Sequence, residues 1–178
     1  MTEFEPNQYP IGKFKMPDTI SDSDVDEMIL EIKSFPAKLS EAAAHLSDDA
    51  LDTPYRAGGW TVRQLVNHIA DSHLNAFLRM KLALTEDQPT IKPYDEKKFA
   101  ELPDSRGMPI KAALQMLEGT HARWACLLKG LTNRQLERTF YHPANEQVQT
   151  VRQMLSNYVW HGNHHLAQIK NLKKERGW

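Results

Sequence analysis

The four residues Thr61-Val62-Arg63-Gln64 recur as Thr150-Val151-Arg152-Gln153, and each copy opens a long run of apolar residues at helical spacing. In a T-x-x-Q capping box, hydroxyl and amide side chains satisfy N–H groups that a helix start leaves unbonded. Two such starts commit much of the chain to amphipathic helices. The repeat is consistent with a duplication, but two equal helix starts explain it more simply.

The spacing predicts four long helices. The first runs from Ser23 through Val25, Ile29, Ile32, Leu39, Ala42, Ala43 and Leu46, with acidic residues in its first turn, where the helix dipole favours them. Pro36 lies inside it and is expected to kink or divide it. The second carries Leu65, Ile69, Ser72, Ala76, Phe77 and Met80 and ends near residue 84. The third follows Pro109, a suitable first-turn residue, with Ile110, Leu114, Leu117, His121, Trp124, Leu128 and Leu131 on its stripe. The fourth carries Met154, Leu155, Tyr158, His161, His165 and Ile169.

Between them lie an extended arm (1–20), a loop with Pro54 and Gly58-Gly59 (51–60), a long connection with three prolines (85–108) and the loop Phe140 to Gln149. No strand-like alternation persists beyond about four residues, so the expected class is all-α, a four-helix bundle. Helix–helix links usually take roughly 2 to 8 residues. The longer 85–108 connection can cross the bundle and let the third helix run parallel to the second, giving an up-down-down-up order.

At 178 residues the chain is expected to form one domain, 1–178, large enough to build a core without staples. Its 22 Lys+Arg against 23 Asp+Glu leave a net charge of -1, which argues against nucleic acid as a partner. The longest apolar run, Trp124 to Leu128, falls far short of the roughly 20 residues of a membrane helix. No secretory signal is visible, and the single cysteine suits a reducing compartment, so a cytoplasmic protein is expected.

Eight histidines accompany that one cysteine. His161 and His165, four apart on a helix, share one face and can chelate a single ion. His164 offers a rival pairing with His161, but His165 shares the apolar stripe of Met154 and Tyr158. His68 lies on the second helix's apolar stripe, where an unsatisfied imidazole costs free energy. Alone it would read as a hydrogen-bonded core residue. Three core-facing histidines on two facing helices point instead to a metal, and antiparallel packing would bring them level.

The other candidates are weaker. His73, five residues after His68, is placed away from it, as a supporting or substrate-contacting group at most. Asp71 is a candidate to orient a ligand histidine. Cys126 is off the third stripe and reads as an inert small hydrophobe. His121 is expected to pack in the core, His45 and His142 at the surface or in loops, and Trp60, Trp124 and Trp160 in the core. HExxH, GxSxG, Walker and GxGxxG motifs are all absent.

Residues 53–73 (TPYRAGGWTVRQLVNHIADSH), 92–97 (KPYDEK) and 158–165 (YVWHGNHH) resemble the YfiT-type branch of the DinB-like proteins over nearly the whole chain. The resemblance implies a four-helix bundle of up-down-down-up topology and a metal-dependent hydrolase, with zinc or nickel as its metal. By motif, the ligands fall on His68, His161 and His165. Relatives often carry a further histidine where this chain has Asn67 and Asn163; neither is a ligand position. Homodimers are common in the family, which also includes metal-dependent transferases of low-molecular-weight (bacillithiol-type) thiols.

Three neutral imidazoles leave coordination positions open, as catalytic sites do, and a water held there can attack as hydroxide. The alternative is attack by an external thiol, since Cys126 is not placed to serve as nucleophile. A non-enzymatic metal-binding or sensing bundle is the third reading. Arg56 and Tyr94, in the motif loops, are candidate substrate anchors beside a small-molecule substrate.

Overall fold

Ser21, Thr61 and Thr150 each close a reciprocal capping box, and from them run three of the four long helices: α1 (Asp22–Ala43), α3 (Val62–Thr85) and α8 (Val151–Arg176). The fourth, α6 (Lys111–Lys129), starts without a side-chain cap. The structure, a computed structural model, describes residues 7–178, so the first six residues of the expected arm lie outside the described residues. Short helices occupy the connections: α2 (Asp48–Leu51), α4 (Glu96–Ala100), α5 (Pro103–Gly107) and α7 (Asn133–Leu136). No helix among the described residues is long and apolar enough to cross a membrane.

The arginine of each TVRQ copy has a job of its own. Arg63 donates to Asp52 Oδ1 (2.7 Å), Asp48 Oδ1 (2.8 Å) and the Met108 carbonyl (3.0 Å). Arg152 donates to Glu137 Oε1 (2.8 Å), Asp22 Oδ1 (2.9 Å) and the Ile20 carbonyl (2.9 Å). Each guanidinium thus uses its fixed fork to tie its helix start to two neighbouring segments.

Two apolar clusters reveal the direction of every long helix. One gathers Val25 to Ile32 of α1, Ala76 to Ala83 of α3, Trp124 to Leu128 of α6 and Val151 to Tyr158 of α8. The other gathers Phe35 to Ala43, Val62 to Ala70, Ile110 to Leu117 and Leu166 to Leu172 of the same helices. Thus α1 and α8 run one way and α3 and α6 the other: up-down-down-up. Helices α1 and α3 each pack against both α6 and α8 and barely touch one another, so they lie across a diagonal. His73, His121, His161 and Pro36 fall at the waist between the clusters.

The expected parallel run of the third helix beside the second is therefore present. Its long connection is not structureless: α4 and α5 fill it, and Gln64 Nε2 donates to the Ala100 carbonyl (2.8 Å) to hold it against α3.

Of the two effects expected of Pro36, division does not occur: α1 continues through it to Ala43. Two further expectations need correction. Pro109 is not a first-turn residue, because Ile110 occupies the cap and α6 starts at Lys111. The loop before the fourth helix is an antiparallel hairpin, β1 (Thr139–His142) with β2 (Gln147–Thr150), pairing Thr139 with Thr150 and His142 with Gln147. Four residues are too few for alternation to declare itself; buried Phe140 and bonds from Tyr141 to Pro89 and Ile91 fix the strand instead.

Candidate metal centre

His68 is carried on α3, and His161 and His165 sit one turn apart on the antiparallel α8. One nitrogen of each ring lies within 4.8 Å of one nitrogen of each other ring. The Nε2 atoms of His68 and His161 are 3.2 Å apart, and the His161 and His165 rings meet edge to face at 4.6 Å. Tetrahedral ligands about 2.0–2.1 Å from an ion stand roughly 3.4 Å from one another. The donor set therefore fits one divalent ion.

His164 takes no part. It stacks on Trp160 (4.7 Å), packs against Tyr9 (5.7 Å) and meets Gln168 Nε2 at 3.2 Å. The i, i+4 pairing of His161 with His165 is the one that faces His68.

Each α8 histidine of the cluster is held from behind. His165 Nδ1 lies 2.8 Å from Gln168 Oε1, which can only accept, so Nδ1 carries the proton and Nε2 is bare. Gln168 Nε2 in turn donates to the Gln8 carbonyl (3.0 Å), so the N-terminal arm is part of the support. His161 Nδ1 lies 3.2 Å from His73 Nε2. His73 therefore does not stand apart from the site. Five residues do separate it from His68 along α3, but an imidazole has nitrogens on two sides, and the His161 ring spans the gap.

His121 is in the core as expected, yet it is also bonded, 2.8 Å from His73 and 2.6 Å from the Ile32 carbonyl. Phe35 stacks on His73 (5.5 Å) and His121 (5.6 Å). Only glycine at 162 allows this approach, because a Cβ there would lie 2.9 Å from the Phe35 ring.

Burial pushes His68 down to about 4 from the ordinary histidine value of 6.5. Burial and then the neighbouring imidazoles push His161 and His165 well below it. All three are thus neutral near pH 7, the form that coordinates a metal.

The remaining candidates fall elsewhere. Trp60 is not a core residue but a half-buried wall tilted against His68 at 4.7 Å. Trp160 is likewise half-buried, whereas Trp124 is fully enclosed. Asp71 bonds to none of the three imidazoles through its carboxylate; burial, then Asp104, raises its pKa. Arg56 is turned to Tyr55 and the Ala57 carbonyl. Tyr94, pushed up to about 12 by burial, packs on Phe99. Cys126 is exposed rather than packed, and lines a groove of about 980 Å³ between α1 and α6 that none of the three histidines borders.

The sequence reading undervalued His73 and missed Gln168. Gln168 was signalled as a polar residue one turn from His165, whereas His73 is off the face of His68 and meets the site only through His161, on another helix.

Comparison with known proteins bears on the same features. Residues 31–169 match the DinB superfamily. The chain is 47% identical over 170 residues to YfiT of Bacillus subtilis, covering 96% of each. It is 45% identical over 178 residues to a relative from Geobacillus thermodenitrificans, covering 100% of each. The names of both offer metal-dependent hydrolysis as an assignment still to be demonstrated. The solved structure of YfiT, described as a four-helix bundle of unusual topology, superposes with a TM-score of 0.95 at 46% identity, covering 98% of this chain and 99% of that one. With the family match over most of its length, these relatives and the shared four-helix bundle in agreement, the chain belongs to the DinB superfamily.

Proposed function

We propose that this protein is a metal-dependent hydrolase of a small-molecule substrate, with His68, His161 and His165 as ligands of one zinc or nickel ion per chain. One observation carries the proposal: three neutral imidazoles converge within 4.8 Å, and no fourth His, Cys, Asp or Glu among the described residues joins them. A closed structural zinc site takes four protein ligands, whereas three leave a position for water and substrate. When bound, the metal supplies Lewis acidity and activates water near neutral pH. The chain's own part is to hold the three rings in register, to keep them unprotonated through burial, and to wall the site with Trp60. The names of the YfiT relatives support hydrolysis rather than another use of the ion.

The test begins with metal analysis of untagged protein. About one ion per chain, lost in a His161→Ala, His165→Ala double variant, is the expected result. Below about 0.2 ion per chain in the wild type, unchanged in the variant, the site is not a metal site. Ester and amide hydrolysis abolished in His68→Ala then supports the enzyme assignment. Turnover seen only with an added low-molecular-weight thiol and an electrophile such as monochlorobimane replaces hydrolysis with thiol transfer. Exposed Cys126 lies on another face, so that thiol would come from outside the chain.

A further inference from the structure

Behind the candidate site, hydrogen-bonding groups from four helices form a single line. His161 Nδ1 lies 3.2 Å from His73 Nε2, His73 Nδ1 lies 2.8 Å from His121 Nε2, and His121 Nδ1 lies 2.6 Å from the Ile32 carbonyl oxygen. The direction of the line follows from its last member. A carbonyl oxygen only accepts, so His121 Nδ1 carries a proton. A neutral imidazole has one N–H, so His121 Nε2 is left to accept. His73 must then donate from Nδ1 and accept at Nε2, and His161 must donate from Nδ1. Nε2 of His161, the nitrogen that faces His68, is left bare. Burial holds His73 and His121 neutral, as the sequence of donors requires.

The anchor is available because of a residue one turn away. In an α-helix each carbonyl accepts from the N–H four residues on. The residue four after Ile32 is Pro36, which has no N–H to give. The carbonyl that proline leaves without its helical donor is the one His121 uses.

We propose that Pro36 and the Ile32 carbonyl, acting through His121 and His73, are a positioning device that locks His161 in the Nδ1–H tautomer and presents its Nε2 lone pair to the metal. His165 is set by an amide and His161 by this chain of imidazoles. The device also accounts for two histidines, each 1% exposed, between the two apolar clusters, since both nitrogens of both rings are bonded. His73 and His121 are positioning residues and do not themselves reach the site. The last step rests on His161 being a ligand; the tautomer chain does not.

Two measurements on the full chain test this. Nitrogen-15 imidazole correlation spectra of the metal-free protein should show Nδ1–H for His73, His121 and His161. Cobalt(II) titration, with circular dichroism to verify folding, should show affinity falling roughly 10- to 100-fold in His121→Leu. His121→Gln should recover most of the loss, because its amide can donate to the carbonyl and accept from His73. Pro36→Ala, which restores an N–H able to compete for Ile32, should weaken binding and shift the His121 Nδ1–H signal. A dominant Nε2–H tautomer at His161 in the wild type overturns the proposal, as does unchanged cobalt affinity in folded His121→Leu and Pro36→Ala. Nδ1–H at all three rings without cobalt uptake supports the lock and overturns the metal assignment, so the two failures are distinguishable.

Discussion

The Nε2 atoms of His68 and His161 stand 3.2 Å apart although 93 positions separate them in the chain. That is close to the spacing of two ligands on one tetrahedral ion, so α3 and α8 need no rearrangement to close on a metal. Metal addition should therefore raise the melting temperature with no change in helix content. At a free metal concentration 100 times Kd the stabilisation is about 2.7 kcal/mol. Calorimetry and far-ultraviolet circular dichroism on wild type and His161→Ala check this; a large gain of helix on binding would contradict it.

Gln168 should matter to metal affinity without touching the metal. Its Oε1 is the acceptor that fixes the proton of His165 on Nδ1. Gln168→Leu removes that acceptor and should weaken binding roughly 10- to 100-fold, whereas Gln168→Glu keeps an acceptor and should lose less. Competition with a chelating dye measures both, and equal affinities in all three proteins would deny Gln168 this role.

Stability of the metal-free protein should fall with acid in a defined window. Burial holds His68 and His121 at about 4, against 6.5 for ordinary histidine. Below pH 6.5 the unfolded chain takes up protons that the folded chain refuses until about pH 4. The unfolded state then binds more protons, so stability is full above pH 6.5 and declines as pH falls toward 4. Each histidine contributes at most about 3 kcal/mol to the loss. Urea midpoints across this range provide the measurement, and His121→Phe should show a shallower decline. A flat profile would mean that these rings are not buried neutral.

Gly162→Ala should destabilise the fold by roughly 1–3 kcal/mol through overpacking, because the new Cβ would meet the Phe35 ring at 2.9 Å. Phe35→Leu in the same protein should return part of that loss, since the smaller side chain yields the space. Denaturant unfolding of the two single variants and the double variant reads the coupling. Additive losses would show that the two residues do not interact.

Much of the fold was legible because helical periodicity and capping are local. The two TVRQ boxes marked the starts of α3 and α8, and the proline-rich 85–108 connection permitted the parallel run of α6. The hairpin at 139–150 was not legible, since its strands are four residues long and are fixed by Phe140 and the crossover chain. Pro36 was legible as an interruption, but not as one that leaves α1 undivided: the helix runs on through it, and His121 takes the carbonyl it leaves.

For the site, spacing along single helices was enough to nominate His68, His161 and His165, because one helical face is a property of sequence. What stands behind those rings was not. The bonds of His73 to His161, of His121 to Ile32, and of Gln168 to Gln8 join residues far apart in the chain. The sequence alone determined the long helices and which histidines share their apolar faces, since both follow from a period of 3.6 residues. Only the tertiary structure decided how those histidines are oriented, because a ring's tautomer is set by whichever donor or acceptor another helix brings against its second nitrogen.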